Sequence, residues 1–150
     1  MHALIVELAA YERAENEVTL QVETLETDFK AGRFEVSVAT FEDKVVGMAL
    51  HHPRYSTWKG ATWYLEDLVV TEDWRGRGVG KALFHEVVQA ARRHRAQRLE
   101  WQVLDWNAPA IGFYQTLNAS LSSTWLNGRL TRDQLDAWNA EASSEPSTKP

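Results

Sequence analysis

The run VTEDWRGRGVGKALFHEVV, residues 70–88, sets Gly76, Gly78 and Gly80 at alternate positions among Arg75 and Arg77, directly ahead of an amphipathic segment. A glycine-rich turn that feeds a helix lets successive backbone N–H groups converge on one concavity. The helix N-terminus adds partial positive charge there, and anionic phosphate is the natural guest. The two arginines add formal charge. A plain strand-to-helix turn, whose glycines only meet backbone demands, is the alternative. Three glycines among arginines favour the phosphate. The Walker pattern G-x-x-x-x-G-K-[ST] fails, because Arg75 stands five positions before Gly80 and Ala82 replaces the metal-binding hydroxyl. The dinucleotide fingerprint G-x-G-x-x-G fails too, because Gly76 and Gly78 are followed by Lys81. What remains is R-x-x-G-x-G, here Arg75, Gly78 and Gly80.

These residues need elements to position them. In residues 3–14, Leu4, Leu8 and Tyr11 share a helical face, with Ile5 beside them. A shorter helix is predicted over 22–31, with Thr24 as its N-cap. FEVSVATF (34–41) alternates as a half-buried strand, Glu42-Asp43-Lys44 is a turn, and VVGMALHH (45–52) pairs back as a hairpin. ATWYLEDLVV (61–70) is apolar, aromatic and β-branched, which predicts a central strand. A helix over 79–95 puts Val79, Leu83, Phe84, Val87, Val88 and Ala91 on one face. RLEWQVL (98–104) alternates as a strand, and NAPAIGFYQTL (107–117) opens a helix with its proline near the start. A short strand or two and a helical turn at 131–138 follow. The order β-β-β-α-β-α-β implies an α/β (α+β) fold with a mixed sheet and helices on both faces.

The chain of 150 residues reads as one domain, 1–138, with a polar and disordered tail over 139–150. It has no cysteine, which excludes disulfides and zinc–thiolate sites and suits a cytoplasmic setting. No apolar run approaches the ~20 residues that span a bilayer, and the N-terminal segment is not read as a secretory signal. A net charge of −5 argues against a nucleic-acid binder. His51, His52 and His85 lack metal-ligand spacing and read as ordinary strand or surface residues; no metal is expected. The basic run 92–98 reads as a solvated helix end, and most of the seven tryptophans as core or interface.

R-x-x-G-x-G after a long apolar strand resembles the pyrophosphate loop of the GNAT acetyltransferases, and the element order agrees. Further landmarks stand in order: LAAYE (8–12), YSTWKG (55–60), YLEDL (64–68), WRGRGVG (74–80), LDWN (104–107) and FYQTLNA (113–119). Together they resemble the spermidine/spermine (diamine) and thialysine acetyltransferase branch. Ser56-Thr57 before Trp58, where polyamine enzymes tend to carry Asp-Pro, resembles the thialysine type. The chain opens at the helix that follows the family's first strand, so either its start is misassigned or the sheet begins one strand short with an altered edge. The segment Thr124–Gly128 departs from the acidic and aromatic residues usual there.

The resemblance implies direct acetyl transfer from acetyl-CoA to a small amine. Acetyl-CoA would lie along Leu68, Val69 and Val70, with its pyrophosphate on the loop Arg75, Gly76, Arg77, Gly78, Val79, Gly80 and Lys81, and with contacts to Asn107 and Tyr114. A lysine-like amine has a pKa near 10.4, so deprotonating it at pH 7 costs about 4.6 kcal/mol. Glu66 is the candidate base, through a water; the alternative is that Glu66 and Asp67 only bind the substrate's cation. Tyr114 is the acid for the leaving thiolate; by residue type alone it reads as a core tyrosine. A backbone N–H near Leu68 meets the oxyanion. Tyr11, Glu12, Ser56, Thr57, Trp58 and Asp105 complete the amine pocket, with aromatic faces supporting the cation. A two-fold homodimer is implied. A non-catalytic acyl-CoA sensor on the same fold is the alternative, and a nucleotide-binding module is disfavoured by the two failed patterns.

Overall fold

The computed structural model describes residues 1–141. The chain forms two compact units, Met1–Leu104 and the segment from Asp105 on. The first holds helix α1 (His2–Tyr11), helix α2 (Val22–Lys30), strands β1 (Glu35–Phe41), β2 (Lys44–Ser56) and β3 (Gly60–Val70), helix α3 (Val79–Arg93) and strand β4 (Leu99–Glu100). The second holds helices α4 (Ala108–Thr116) and α5 (Arg132–Glu141).

One sheet runs in the order β1-β2-β3-β4. β1 and β2 join through Glu42 and Asp43, both with positive φ, 45° and 63°; this matches a two-residue turn of the twist that suits a hairpin. β2 and β3 pair antiparallel over ten residue pairs, so their long apolar runs form the middle of the sheet. β4 returns parallel to β3 after α3. The helices take opposite faces. Leu4 of α1 packs with Met48 and Val69, joined by Met1, Ile5, Leu8 and Val36. α3 buries Leu83, Phe84, Val87, Ala90 and Ala91. Its approach depends on Gly47 of β2, where a Cβ would stand 3.0 Å from the Val69 carbonyl oxygen and 3.1 Å from Leu83 Cδ1.

In the second unit, Asn107 caps α4 by accepting a hydrogen bond from the Ala110 amide at 3.2 Å, with Pro109 in the first turn. Asn118, at φ 56°, ends it, and the Ala119 amide reaches back to the Tyr114 carbonyl. α5 opens with a reciprocal cap. The Gln134 amide donates to Thr131 Oγ1, and the Thr131 amide to Gln134 Oε1.

Several expectations need correction. α2 is preceded by Gln21, which makes no side-chain cap, and Thr24 lies inside the helix. The segment 98–104 alternates, but only Leu99 and Glu100 form a ladder, with Trp63 and Tyr64; alternation reports pleated burial and does not guarantee a neighbour. Residues 120–130 form no strand, since β-prone residues without a facing strand have no ladder to join. α5 runs through residue 141 and so takes in the first residues of the expected tail; the rest of that tail lies outside the described residues. Of the seven tryptophans, Trp63 alone is buried within the chain, so the core accounts for one of them.

Candidate active site

The most informative feature is an irregularity in β3. Leu50 of β2 faces Asp67, while the next residue, His51, faces Leu65. Glu66 is therefore the extra residue of a β-bulge. Alternation normally sends successive side chains to opposite faces, and a bulge resets it by one residue. Before the bulge, Trp63 turns to the α3 side, where it stacks on His94 at 4.3 Å. After it, Val69 turns to the α1 side, against Leu4. By this parity Glu66 and Asp67, though consecutive, both project on the face that carries α1. Without the bulge, one of the two would enter the apolar layer under α3.

Glu12, just past the end of α1, joins them. Burial holds its carboxyl above the usual range. Asp67 is pushed up to about 6, first by burial and then by the charges of Glu66 and Glu12. Three carboxylates on one face form a site short of positive charge, and a substrate ammonium would relieve it. Tyr11 stands at the end of α1, with the Arg75 guanidinium 5.1 Å from its ring centre.

Glu66 itself is half-exposed and bonded to a histidine: His52 Nε2 lies 3.2 Å from Glu66 Oε2. The reading of both strand histidines as ordinary residues missed this contact. The neighbouring His51 is buried, accepts a hydrogen bond from Trp63 Nε1 at Nδ1 (3.0 Å), and turns Nε2 to Ser37 Oγ. Burial lowers the pKa of His51.

Beyond the bulge, the Thr71 amide donates to the Val46 carbonyl. Strand alternation then turns the backbone groups of Leu68 and Val70 to the other edge of β3. The ladder with β4 ends at Tyr64–Glu100. On this edge the Val70 carbonyl accepts a hydrogen bond from Arg75 Nε.

The strand leads into a short 3₁₀ turn, Glu72–Trp74, and then the glycine loop. Gly76 and Gly78 adopt φ 70° and 83°, a conformation that L side chains rarely adopt. Around both, the space a Cβ would occupy is open to 4 Å. Gly78 begins α3 without a side-chain cap, and the first-turn amides of a helix have no intrahelical partner. Gly80 has no positive φ; a Cβ there would only touch Val70, at 3.8 Å. The loop therefore presents amides to an open concavity with no acidic residue in the first helical turn, which fits a pyrophosphate. Arg75 is partly committed elsewhere. Its Nε donates to the Val70 carbonyl at 2.9 Å, and it approaches Glu7 at 3.9 Å. Arg77 lies over Trp74 at 5.0 Å.

Ser56, Thr57 and Trp58 sit at the β2–β3 hairpin, where Ser56 pairs with Gly60. Six residues of β3 separate Gly60 from Glu66, roughly 20 Å along the strand. Within one chain the fold does not bring them to the carboxylates, and Trp58 is 82% exposed. Asp105, Asn107 and Tyr114 belong to the second unit. Asp105 is exposed in a turn, Asn107 caps α4, and Tyr114 is buried with its hydroxyl pushed up to about 12 by that burial. Such a phenol keeps its proton at neutral pH.

Residues 3–119 match the Acetyltransferase (GNAT) family. The chain belongs to that family. It is 33% identical over 131 residues to a thialysine N-epsilon-acetyltransferase of Caenorhabditis elegans, covering 85% of this chain and 82% of that protein. It is 37% identical over 126 residues to the thialysine N-epsilon-acetyltransferase of Bos taurus, covering 77% and 74%. Among solved structures, an integron cassette protein from the mobile metagenome of V. cholerae superposes with a TM-score of 0.71 at 26% identity, over 89% of this chain and 86% of that one. The protein is thus an amine N-acetyltransferase on a GNAT fold, and GNAT acetyltransferases use acetyl-CoA as donor. Among the described residues no helix is long and apolar enough to cross a membrane.

Proposed function

We propose that this enzyme acetylates a short cationic amine, thialysine or a related amino acid or diamine, with Glu66 as base and Tyr114 as acid. The observation that carries this reading is the β-bulge that turns Glu66 and Asp67 onto one face beside Glu12. Asp67 and Glu12 hold the ammonium by charge, and Tyr11 offers it an aromatic face. Glu66, at the exposed end of the cluster, takes the proton that the ammonium must lose. The Leu68 amide supports the developing oxyanion. The amides of Gly76 to Lys81 hold the pyrophosphate, and Asn107 and the β3 edge at Val69 and Val70 guide the pantetheine arm. When bound, acetyl-CoA supplies an acetyl group activated as a thioester. Burial keeps Tyr114 protonated at neutral pH, so its hydroxyl holds the proton that the leaving thiolate takes up.

The acceptor follows from charge placement. Ser56 and Thr57 put no carboxylate at the hairpin, so a long polycation gains nothing there. The clustered carboxylates suit one compact ammonium. The similarity to enzymes that carry the name thialysine N-epsilon-acetyltransferase supports the same choice.

A thiol-release assay with acetyl-CoA and an amine panel tests the reading. Thialysine or a small diamine should exceed spermine in kcat/KM, the quantity that measures discrimination. Replacing Ser56-Thr57 by Asp-Pro should move preference toward polyamines. A parent enzyme that already prefers spermine rejects the acceptor assignment and leaves the reaction class standing.

A further inference from the structure

The two nitrogens of His52 both face acceptors. Nδ1 lies 3.0 Å from the Pro53 carbonyl oxygen, which can only accept, so Nδ1 carries a hydrogen. Nε2 lies 3.2 Å from Glu66 Oε2. With Nδ1 protonated, a neutral His52 turns a lone pair toward Glu66, and an ionised Glu66 returns another. One proton between them removes the conflict. We propose that His52 and Glu66 act as a pair that takes up a single proton in each turnover, and that His52 is the positioning residue through which Glu66 discharges the proton it takes from the substrate amine. This rests on the reading of Glu66 as base.

The steps balance. Glu66 carboxylate takes a proton from the substrate ammonium and leaves a neutral amine with a free electron pair. The protonated Glu66 passes that proton to the Nε2 lone pair of His52, giving an imidazolium and restoring the carboxylate. His52, partly open to solvent, returns the proton to water with Nδ1–H still held by Pro53. A lone carboxylate is a weak base toward an ammonium, whereas imidazole titrates near neutrality. The two strand histidines are fixed in opposite tautomers. His51 accepts at Nδ1 from Trp63 and so carries its hydrogen on Nε2; His52 carries its hydrogen on Nδ1.

Other groups face His52. Tyr64 of β3 lies 5.5 Å from it, ring to ring, and Arg54 of β2 lies over that same Tyr64 ring. Asp67 of β3 and Glu12 of α1 complete the charges of this face, and His51 is its neighbour in β2. The test therefore compares variants that differ at His52 alone.

The experiment uses the full chain. ¹⁵N NMR of the parent, with the signal assigned through His52→Gln, should show neutral His52 protonated at Nδ1. An Nε2–H tautomer overturns the inference without any kinetic measurement. Steady-state assays with thialysine then compare Glu66→Gln, His52→Gln and the double variant, each checked for folding by its melting curve. His52→Gln keeps a donor toward Glu66 but cannot accept its proton. It should lower kcat/KM at pH 7 by on the order of tenfold, below the 10²–10⁴ of direct proton transfer. The acid limb of its pH profile should move down by more than about one unit, toward carboxylate behaviour. The double variant should be no slower than Glu66→Gln. If Glu66→Gln is impaired while His52→Gln keeps the parent's rate and profile, the pair is refuted and the base assignment survives. If Glu66→Gln is itself unimpaired, the base assignment fails and the inference with it.

Discussion

Asp67 shows what the site costs at the scale of one residue. Its folded pKa, about 6, lies above the ordinary 3.8. An acid with a raised folded pKa binds protons more tightly in the fold than in the unfolded chain. Stability therefore falls as pH rises through the window from about 4 to about 6, and the full cost is present at neutral pH. For a shift of this size it is on the order of 3 kcal/mol. Asp67→Asn, which mimics the neutral acid, should raise the melting temperature at pH 7.5 and lose that gain near pH 4. The same variant should bind the amine less well, raising KM. An Asp67→Asn protein no more stable than the parent at pH 7.5 would mean that Asp67 is not strained by its neighbours. Tyr114 carries the complementary test. Tyr114→Phe removes a hydroxyl that acts as the thiolate leaves, so kcat should drop 10²–10⁴-fold with little change in acetyl-CoA affinity. Kinetics within threefold of the parent would return Tyr114 to the role of a buried helix residue.

At the scale of elements, periodicity made most of the fold readable. The 3.6-residue stripe of α1 and α3, the alternation of β1, the hairpin turn ahead of β2 and the apolar, β-branched run of β3 placed these elements to within a few residues of where they lie. The glycine loop was readable because Gly76 and Gly78 answer to a backbone demand, positive φ, that few other residues meet. The bulge was not read, though a signal existed. In a strand packed on both faces, Glu66-Asp67 forces one carboxylate into an apolar layer unless the alternation slips. The His52–Glu66 contact is set by the strand pairing that brings residues fourteen apart together, and local pattern carries no such information. Two substitutions test these elements. Gly78→Asp puts a strained, negative side chain in the loop concavity. It should abolish the rise in melting temperature that acetyl-CoA gives by binding the folded state; an undiminished rise would remove the pyrophosphate from this loop. Gly47→Ala drives a methyl against the Val69 carbonyl and Leu83. It should destabilise by about 1–3 kcal/mol, read as a lower denaturation midpoint, and an unchanged midpoint would show that α3 stands off from β2.

At the scale of the whole molecule, the segment after α4 leaves large apolar groups in water. Trp125 is 82% exposed and Leu126 96%, and Leu135 and Trp138, three residues apart on α5, are exposed as well. Contiguous apolar exposure of this kind marks an interaction surface in a soluble protein. Residues 120–130 have no ladder partner among the described residues. A second copy of the same segment would supply one under two-fold symmetry, covering both. We propose that the enzyme is a dimer with Trp125 as an anchor of the interface, the kind of large aromatic that dominates such contacts. Light scattering at micromolar concentration should give twice the 17.1 kDa of the chain. A mass near that of one chain rejects the dimer. Trp125→Glu sets a charge where the ring would be buried, so it should yield the single-chain mass while α3 and the sheet remain folded. A Trp125→Glu variant that still runs at the dimer mass would place the interface elsewhere on the molecule.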